Sequence, residues 1–162
     1  MVIYLKCSWI IIVPIVKDKK GLIVDKDNYR PIAVTSVASK ILELLLLSHM
    51  EKHLYTECNQ FGFKTKHGKD MCVFTLKQVI EYYMLQGSPV YVCFLDASKA
   101  FNRINHWTLF SKLIDRNVNH IYVRILMYWY CNQMFCVKWV TTFSEYFTVS
   151  NGVRQGGIMS PF

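Results

Sequence analysis

The sequence predicts an α/β or α+β fold, and three observations support that fold class. First, 52% of the 162 residues are apolar, which is enough for a sizeable core. Second, two stretches, Ser36–Tyr55 and Lys69–Leu85, carry apolar residues at helical spacing. Third, short apolar runs such as Val90–Leu95, bounded by turn residues, are typical of strands. Helices and strands should therefore alternate along one domain or a large part of one.

The N-terminal segment, Met1–Val16, is apolar. Its unbroken apolar run, Trp9–Val13, is too short to span a bilayer and is stopped by Pro14. We expect a buried strand here and no membrane anchor. A polar turn should follow at Lys20 and Gly21.

The first helix is expected over Ser36–Tyr55, with Ser36 and Ser39 as the candidate caps. Lys40 and Glu43 are assigned to its outer face. Its apolar positions should form the core stripe, and they are Val37, Ile41, Leu44, Leu45 and either Leu47 or Ser48.

The second helix is expected over Lys69–Leu85, ending before Gly87 and Pro89. Its predicted core stripe consists of Val73, Leu76, Val79, Ile80 and Tyr83. The run Val90–Leu95 follows, and its six consecutive apolar residues predict a strand buried on both faces that ends at Asp96.

The remaining elements are two helices and a hairpin. Asn105 should cap a third helix that reaches about Arg116, and a fourth is expected over Ile121–Tyr130. The inward side chains expected on the third helix are Trp107, Phe110, Leu113 and Ile114. Two strands, Phe135–Val140 and Tyr146–Val149, should pair before a glycine-bearing loop.

Charge and cysteine usage narrow the class of protein. The net charge of +8 favours a polyanionic partner, and nucleic acid is the common one. The six cysteines are irregularly spaced without a CxxC pair, and His49 and His53 lack the glutamate of the HExxH pattern. A zinc site or a disulfide framework is therefore disfavoured, and free thiols suit a reducing compartment.

Two segments could carry chemistry. Asp96 follows a predicted strand, where a carboxylate can hold Mg²⁺ with help from the carbonyl of Ala97. Taken alone, Asp96 fits the capping of a turn better. In the loop Gly152–Pro161, glycines allow close backbone approach, while Arg154 and Gln155 could bond to phosphate, sugar or base. Taken alone, this loop is better explained as an ordinary glycine-rich turn.

The order of the segments is more specific than any one of them. Four blocks in succession resemble the reverse transcriptases of non-LTR (LINE-type) retrotransposons, the jockey-like vertebrate elements above all. These blocks are Asn28–Ile32 (NYRPI), Asn59–Lys64 (NQFGFK), Phe94–Phe101 (FLDASKAF) and Gly152–Gly157 (GVRQGG). The resemblance extends from about Ile10 to Phe162. It implies a right-hand polymerase with helical fingers over about residues 1–89 and an incomplete palm over about 90–162, without a thumb.

The resemblance also implies roles for single residues. Asp96, with the carbonyl of Ala97, would bind catalytic Mg²⁺ for two-metal nucleotidyl transfer. Phe101 would exclude a ribose 2′-hydroxyl. The remaining assignments are Arg30, Lys64, Gln155 and Gly156 to the incoming dNTP, and Lys66, Lys69 and Arg154 to nucleic acid. The implied partners are an RNA template and a DNA primer.

Departures from the family pattern put activity in doubt. Asn102 stands where the family usually has Asp, and Lys64 stands where Arg is usual. The aromatic-Ala-Asp-Asp motif, which supplies the other metal carboxylates, does not occur in these 162 residues. Ser160 and Pro161 look like a helix start, which suggests truncation. We therefore expect this polypeptide alone to be inactive. A non-catalytic nucleic-acid-binding remnant and an unstable product of a degenerate element are the alternatives.

Overall fold

The structure, a computed structural model, describes residues 9–64 and 66–161. The chain forms two compact units. The first unit contains the described residues up to Leu54 together with Lys99–Pro161, and the second unit contains Tyr55–Ser98.

The first unit contains a sheet of four strands in the order β2-β1-β3-β4. The strands are β1 (Trp9–Val16), β2 (Tyr29–Thr35), β3 (Met134–Trp139) and β4 (Thr142–Phe143). β1 is antiparallel to β2 and parallel to β3. The predicted N-terminal strand is confirmed over its described part, but Ile10 is its only buried residue there. Met1–Ser8 lie outside the described residues. The predicted turn is also present, since the amide of Gly21 donates to the carbonyl of Asp18 at 3.2 Å.

The helices begin where the sequence places capping side chains. They are α1 (Val37–Met50), α2 (Lys69–Leu85), α3 (His106–Asp115) and α4 (His120–Cys131). Ser36 Oγ accepts from the amide of Ser39 at 3.2 Å, and Asn105 Oδ1 accepts from the amide of Thr108 at 3.1 Å. These bonds satisfy amide donors that the first helical turn leaves free. Short 3₁₀ turns at Lys26–Asn28, Glu51–His53 and Ala100–Arg103 complete the helical content.

The core of the first unit lies among α1, α3 and α4. Its buried apolar cluster consists of Leu46, Met50, Phe110, Leu113, Val118, Val123, Leu126, Trp129 and Tyr130. A smaller cluster on the sheet joins Ile10, Ala33 and Phe135. Of the inward residues predicted for α3, Phe110 and Leu113 are buried, while Trp107 and Ile114 are exposed.

The predicted core face of α1 is wrong. Val37, Ile41, Leu44 and Leu45 are exposed. The buried face instead carries Ser39, Glu43, Leu46 and Met50. Glu43 lies on that face because a charged partner from the glycine-bearing loop reaches it, which apolar periodicity does not detect.

The second unit contains α2, whose bounds agree with the prediction, but none of its residues is buried. The predicted buried strand Val90–Leu95 is absent: this segment pairs with no strand among the described residues, and Leu95 is 94% exposed. A strand needs a neighbour for its amides and carbonyls, and its own sequence cannot supply one. The predicted burial of the α2 core stripe and of Val90–Leu95 is therefore wrong.

The C-terminal hairpin is shorter than predicted. β3 pairs with β4 through Trp139 and Thr142. The predicted strand Tyr146–Val149 is reduced to one bridge, in which Phe147 pairs with Phe135. Among the helices that the structure describes, none has both the length and the apolar character needed to cross a membrane.

Candidate active site

The residues singled out from the sequence are divided between the two units. Those in the first unit are Arg30, Phe101, Arg154, Gln155 and Gly156. Those in the second unit are Lys64, Lys66, Lys69, Asp96 and Ala97. The structure therefore brings together part of the predicted nucleotide site within one compact unit.

The glycine loop, residues 151–161, is bonded to the turn that carries Phe101. The amide of Val153 donates to the carbonyl of Phe101 at 2.8 Å. The amide of Gly152 donates to the carbonyl of Ile104 at 2.6 Å. Gly152 has φ +89°, and a Cβ there would lie 3.0 Å from the carbonyl oxygen of Phe101. Glycine is thus required for this close approach, which fixes the backbone of Phe101 against the loop.

The other side of the glycine loop is bonded to β2. The amide of Ala33 donates to the carbonyl of Gln155 at 2.8 Å. Gly156 has φ +108°, and a Cβ there would lie 3.2 Å from the carbonyl oxygen of Ala33. Arg30 is exposed on the same strand, three residues before Ala33. The loop therefore connects the backbone of Phe101 to the strand that presents Arg30, with Gln155 and Gly156 between them.

Arg154 does not face solvent. The residue is 4% exposed, its Nη2 donates to Glu43 Oε1, and its guanidinium lies over the Trp129 ring at 4.2 Å from the ring centroid. A guanidinium that is buried and already paired with a carboxylate is not available to a phosphate backbone. The assignment of Arg154 to nucleic-acid contact is therefore corrected to a role inside the first unit.

Glu43 is the residue that sequence reasoning missed. It lies on the buried face of α1 and is 0% exposed, although we predicted it on the outer face. The available signal was its spacing: Ser39, Glu43, Leu46 and Met50 share one helical face. The more numerous apolar residues on the opposite face obscured that pattern.

The burial of Tyr130 accompanies this ion pair. Burial raises the pKa of the Tyr130 phenol above its ordinary value of 10.0, and the nearby Arg154 guanidinium partly opposes that rise. The Tyr130 ring also contacts His106 edge-on at 5.0 Å between centroids. His106 Nε2 in turn lies 2.7 Å from the carbonyl oxygen of Gly152. The interior beneath the glycine loop is thus polar and aromatic.

Asp96 and Ala97 lie in an exposed, irregular segment of the second unit. Among the residues that the structure describes, no group of three His, Cys, Asp or Glu side chains is arranged to hold a metal ion. A two-metal site needs several carboxylate oxygens around ions about 4 Å apart. Asp96 and one carbonyl do not complete such a site, so they can supply only a part of its ligands.

The basic residues of the second unit are partly or fully accessible. Lys64 is half-buried, and its Nζ donates to the carbonyl of Glu57 at 3.4 Å. Lys66 is exposed with φ +62°, and Lys69 is the exposed first residue of α2. Their ammonium groups are therefore able to meet an anionic ligand.

One further ion pair lies near the end of the sequence block Phe94–Phe101. Lys99, in the first unit, pairs with Asp27 Oδ1 at 2.7 Å. A hydrogen bond and the charge of Lys99 lower the pKa of the Asp27 carboxyl below its ordinary 3.8. The 3₁₀ turn with Phe101 begins directly after Lys99.

Comparison with known proteins identifies the family of this chain. Residues 16–162 match the family model for reverse transcriptase (RNA-dependent DNA polymerase). The chain belongs to the reverse transcriptase family. Its sequence is homologous to the RNA-directed DNA polymerases of non-LTR retrotransposons, as the block order predicted. Members of the reverse transcriptase family use divalent metal ions, an RNA template and nucleotide substrates.

Three relatives illustrate how far the likeness extends. A probable RNA-directed DNA polymerase from transposon X-element of Drosophila melanogaster is 30% identical over 141 residues, which covers 83% of this chain and 15% of the relative. The RNA-directed DNA polymerase from mobile element jockey of Drosophila funebris is 29% identical over 146 residues, which covers 85% of this chain and 15% of the relative. The retrovirus-related Pol polyprotein from type-1 retrotransposable element R2 of Nasonia vitripennis is 24% identical, with 85% and 13% covered. This reverse transcriptase chain thus spans about one seventh of the length of these relatives.

Proposed function

We propose that this chain supplies the nucleotide-facing part of an RNA-directed DNA polymerase. Arg30 and Lys64 would hold the triphosphate of the incoming dNTP, and Phe101 would exclude a ribose 2′-hydroxyl. Gln155 and Gly156 would contact the nucleotide. The observation that supports this most is the glycine loop, bonded on one side to Phe101 and on the other to the strand of Arg30.

The metal and nucleic-acid assignments belong to the same proposal. Asp96, with the carbonyl of Ala97, would bind Mg²⁺, a cation that prefers hard oxygen ligands. Lys66 and Lys69 would contact the phosphates of the RNA template and DNA primer. Because the described residues provide only Asp96 as an acidic ligand at that point, we expect these 162 residues alone not to extend a primer.

The test compares the binding of dATP and ATP to the 162-residue chain with Mg²⁺. Arg30→Ala or Lys64→Ala should weaken both nucleotides equally, by about tenfold, because the triphosphate is common to both. Phe101→Ala should leave dATP binding nearly unchanged and abolish the preference for dATP over ATP. Isothermal titration calorimetry or a fluorescent-nucleotide displacement assay measures these affinities.

Arg124→Ala is the matched control, because Arg124 is an exposed arginine of the first unit on α4. It should leave both affinities unchanged. Equal binding of dATP and ATP by the wild type, with no effect of Phe101→Ala, would refute the nucleotide site. Primer extension that needs Mg²⁺ and vanishes in Asp96→Ala would refute the expected inactivity of the chain alone.

A second candidate function is nucleic-acid binding without catalysis, which the exposure of Lys66 and Lys69 supports. Binding to an RNA–DNA hybrid should then weaken steeply with salt. Lys66→Ala with Lys69→Ala should reduce the log–log salt slope by about 1 to 2, since each phosphate contact contributes about 0.7–0.9. Lys112→Ala, at an exposed lysine of α3, is the control. A hybrid affinity that is independent of both lysines would eliminate this candidate.

A further inference from the structure

We propose that Glu43 is a positioning residue for the nucleotide site: its buried carboxylate closes the glycine loop around Gln155 and Gly156. The inference rests on the proposed function only for what these two residues bind. Its structural part, the closure of the loop by one carboxylate, stands on the contacts within the first unit.

Both oxygens of the Glu43 carboxylate are used by the loop. Oε1 accepts from Nη2 of Arg154, and Oε2 accepts from the amide of Ile158 at 2.5 Å. Arg154 and Ile158 are four residues apart, and α1 holds Glu43 rigidly between them. Gln155, Gly156 and the next residue are therefore enclosed in a short segment whose two ends share one anion.

The fit of the backbone around this carboxylate is tight. A Cβ at Gly157 would lie 2.5 Å from Ser160 Oγ and 3.3 Å from Glu43 Oε1. The amide of Gly157 donates to the carbonyl of Arg154 at 3.2 Å, which forms a turn inside the enclosed segment. A larger residue at Gly157 would have to displace the Ser160 hydroxyl and shift the Glu43 carboxylate by a few tenths of an ångström.

Charge makes the arrangement specific. A carboxylate with no solvent exposure is costly unless it is paired and hydrogen-bonded. Among the described residues, Nε and Nη1 of Arg154 have no hydrogen-bond partner, and its Nη2 donates to Glu43. The Trp129 ring supports the cation from its face. Removing either charge would leave the other buried and unpaired.

The loop segment enclosed by Glu43 is also the one bonded to β2. The carbonyl of Gln155 accepts from the amide of Ala33, between the two contacts with Glu43. The backbone of Gln155 is thus fixed by a strand on one side and by a carboxylate on the other. A side chain that contacts an incoming nucleotide has to be held within a fraction of an ångström, and such support provides it.

The first experiment measures amide hydrogen exchange in the 162-residue chain with Glu43→Gln, which keeps the shape but removes the charge. Exchange at the amides of Ala33, Gly157 and Ile158 should accelerate by about ten- to a hundredfold, while the amides of α4 change little. Glu51→Gln, at an exposed glutamate just after α1, should leave all of these rates unchanged. Unchanged rates at Ile158 in Glu43→Gln would overturn the proposal.

A neutral double variant separates positioning from stability. Replacing a buried ion pair by apolar residues is often neutral or stabilising, so Glu43→Leu with Arg154→Met should melt near the wild-type temperature. The amide of Ile158 should nevertheless stay unprotected, and the affinity for dATP should stay about tenfold or more below wild type. Recovery of both stability and loop protection would mean that Glu43 only supports the fold.

Gly157→Ala tests the same closure with both charges present, if Glu43→Gln does not fold. Its Cβ should open the loop, raise exchange at Ile158 and weaken dATP without changing the exchange of α4. Should the wild type fail to bind dATP at all, the proposed function fails, while the exchange rates still decide the closure. Normal loop protection in Gly157→Ala would contradict the tight fit at Glu43.

Discussion

The two units of the chain differ most in what they bury. In the first unit, helices and strands enclose two apolar clusters and a buried ion pair. In the second unit, a helix of 17 residues forms without a single buried residue among those described. The difference teaches that a helix can be specified locally, whereas a core requires partners from distant parts of the chain.

The largest expected effect comes from replacing a leucine by alanine at one position in each unit. Leu126→Ala removes a side chain that is 3% exposed within the main core, and it should lower the free energy of unfolding by about 2–5 kcal/mol. Leu76→Ala, at a half-buried position of α2, should change it by less than about 1 kcal/mol, because alanine also favours the helix. Urea denaturation measures both.

Tryptophan fluorescence makes this comparison selective. All four tryptophans, Trp9, Trp107, Trp129 and Trp139, belong to the first unit. The fluorescence midpoint should therefore shift for Leu126→Ala and stay in place for Leu76→Ala, while far-UV circular dichroism follows α2 as well. Equal shifts for both variants would mean that Leu76 is as deeply buried in solution as Leu126, and the contrast between the units would be lost.

The same contrast explains which parts of the fold could be predicted from the sequence. The bounds of α2 and the caps Ser36 and Asn105 were predicted, because a capping side chain and the residues it bonds to are neighbours in the chain. The strand Val90–Leu95 was wrongly predicted, because pairing depends on another strand. The apolar stripe of α1 was assigned to the wrong face for a related reason: its buried partner, Arg154, lies 111 residues away.

The residues of the candidate site show the same difference between features fixed by neighbouring residues and features fixed by distant ones. The four blocks and their order identified the family. The structure places Phe101, Gln155 and Gly156 around the glycine loop. Arg154 was assigned to nucleic acid because a guanidinium beside flexible glycines can bond to phosphate, sugar or base. Its pairing with Glu43 in the interior joins residues that are 111 positions apart, so the local sequence does not indicate it. The roles of the individual residues remain predictions that the binding experiments address.

The smallest expected effect concerns the ion pair between Lys99 and Asp27. Lys99 is the first residue of the second segment of the first unit. Lys99, three residues after Asp96, adopts φ +57°, a conformation that costs energy for a residue with a side chain. Its bond to Asp27 helps to hold it there. Because the folded-state pKa of Asp27 is lowered, its contribution to stability is present above the unfolded value near 3.8 and is lost as the pH falls through the folded value.

Asp27→Asn should therefore lower the melting temperature slightly at pH 7 and have no effect at a pH below the folded-state pKa. Both side chains are about half exposed, so the difference should also shrink as salt is added. The main-chain carbonyl of Asp27 still accepts from Lys17 Nζ in this variant, which leaves the carboxylate as the only group changed. In a double variant with Lys99→Gln, the two effects should not add, because each substitution alone already removes the pair. Additive effects would mean that the Asp27 and Lys99 side chains do not stabilise each other in solution.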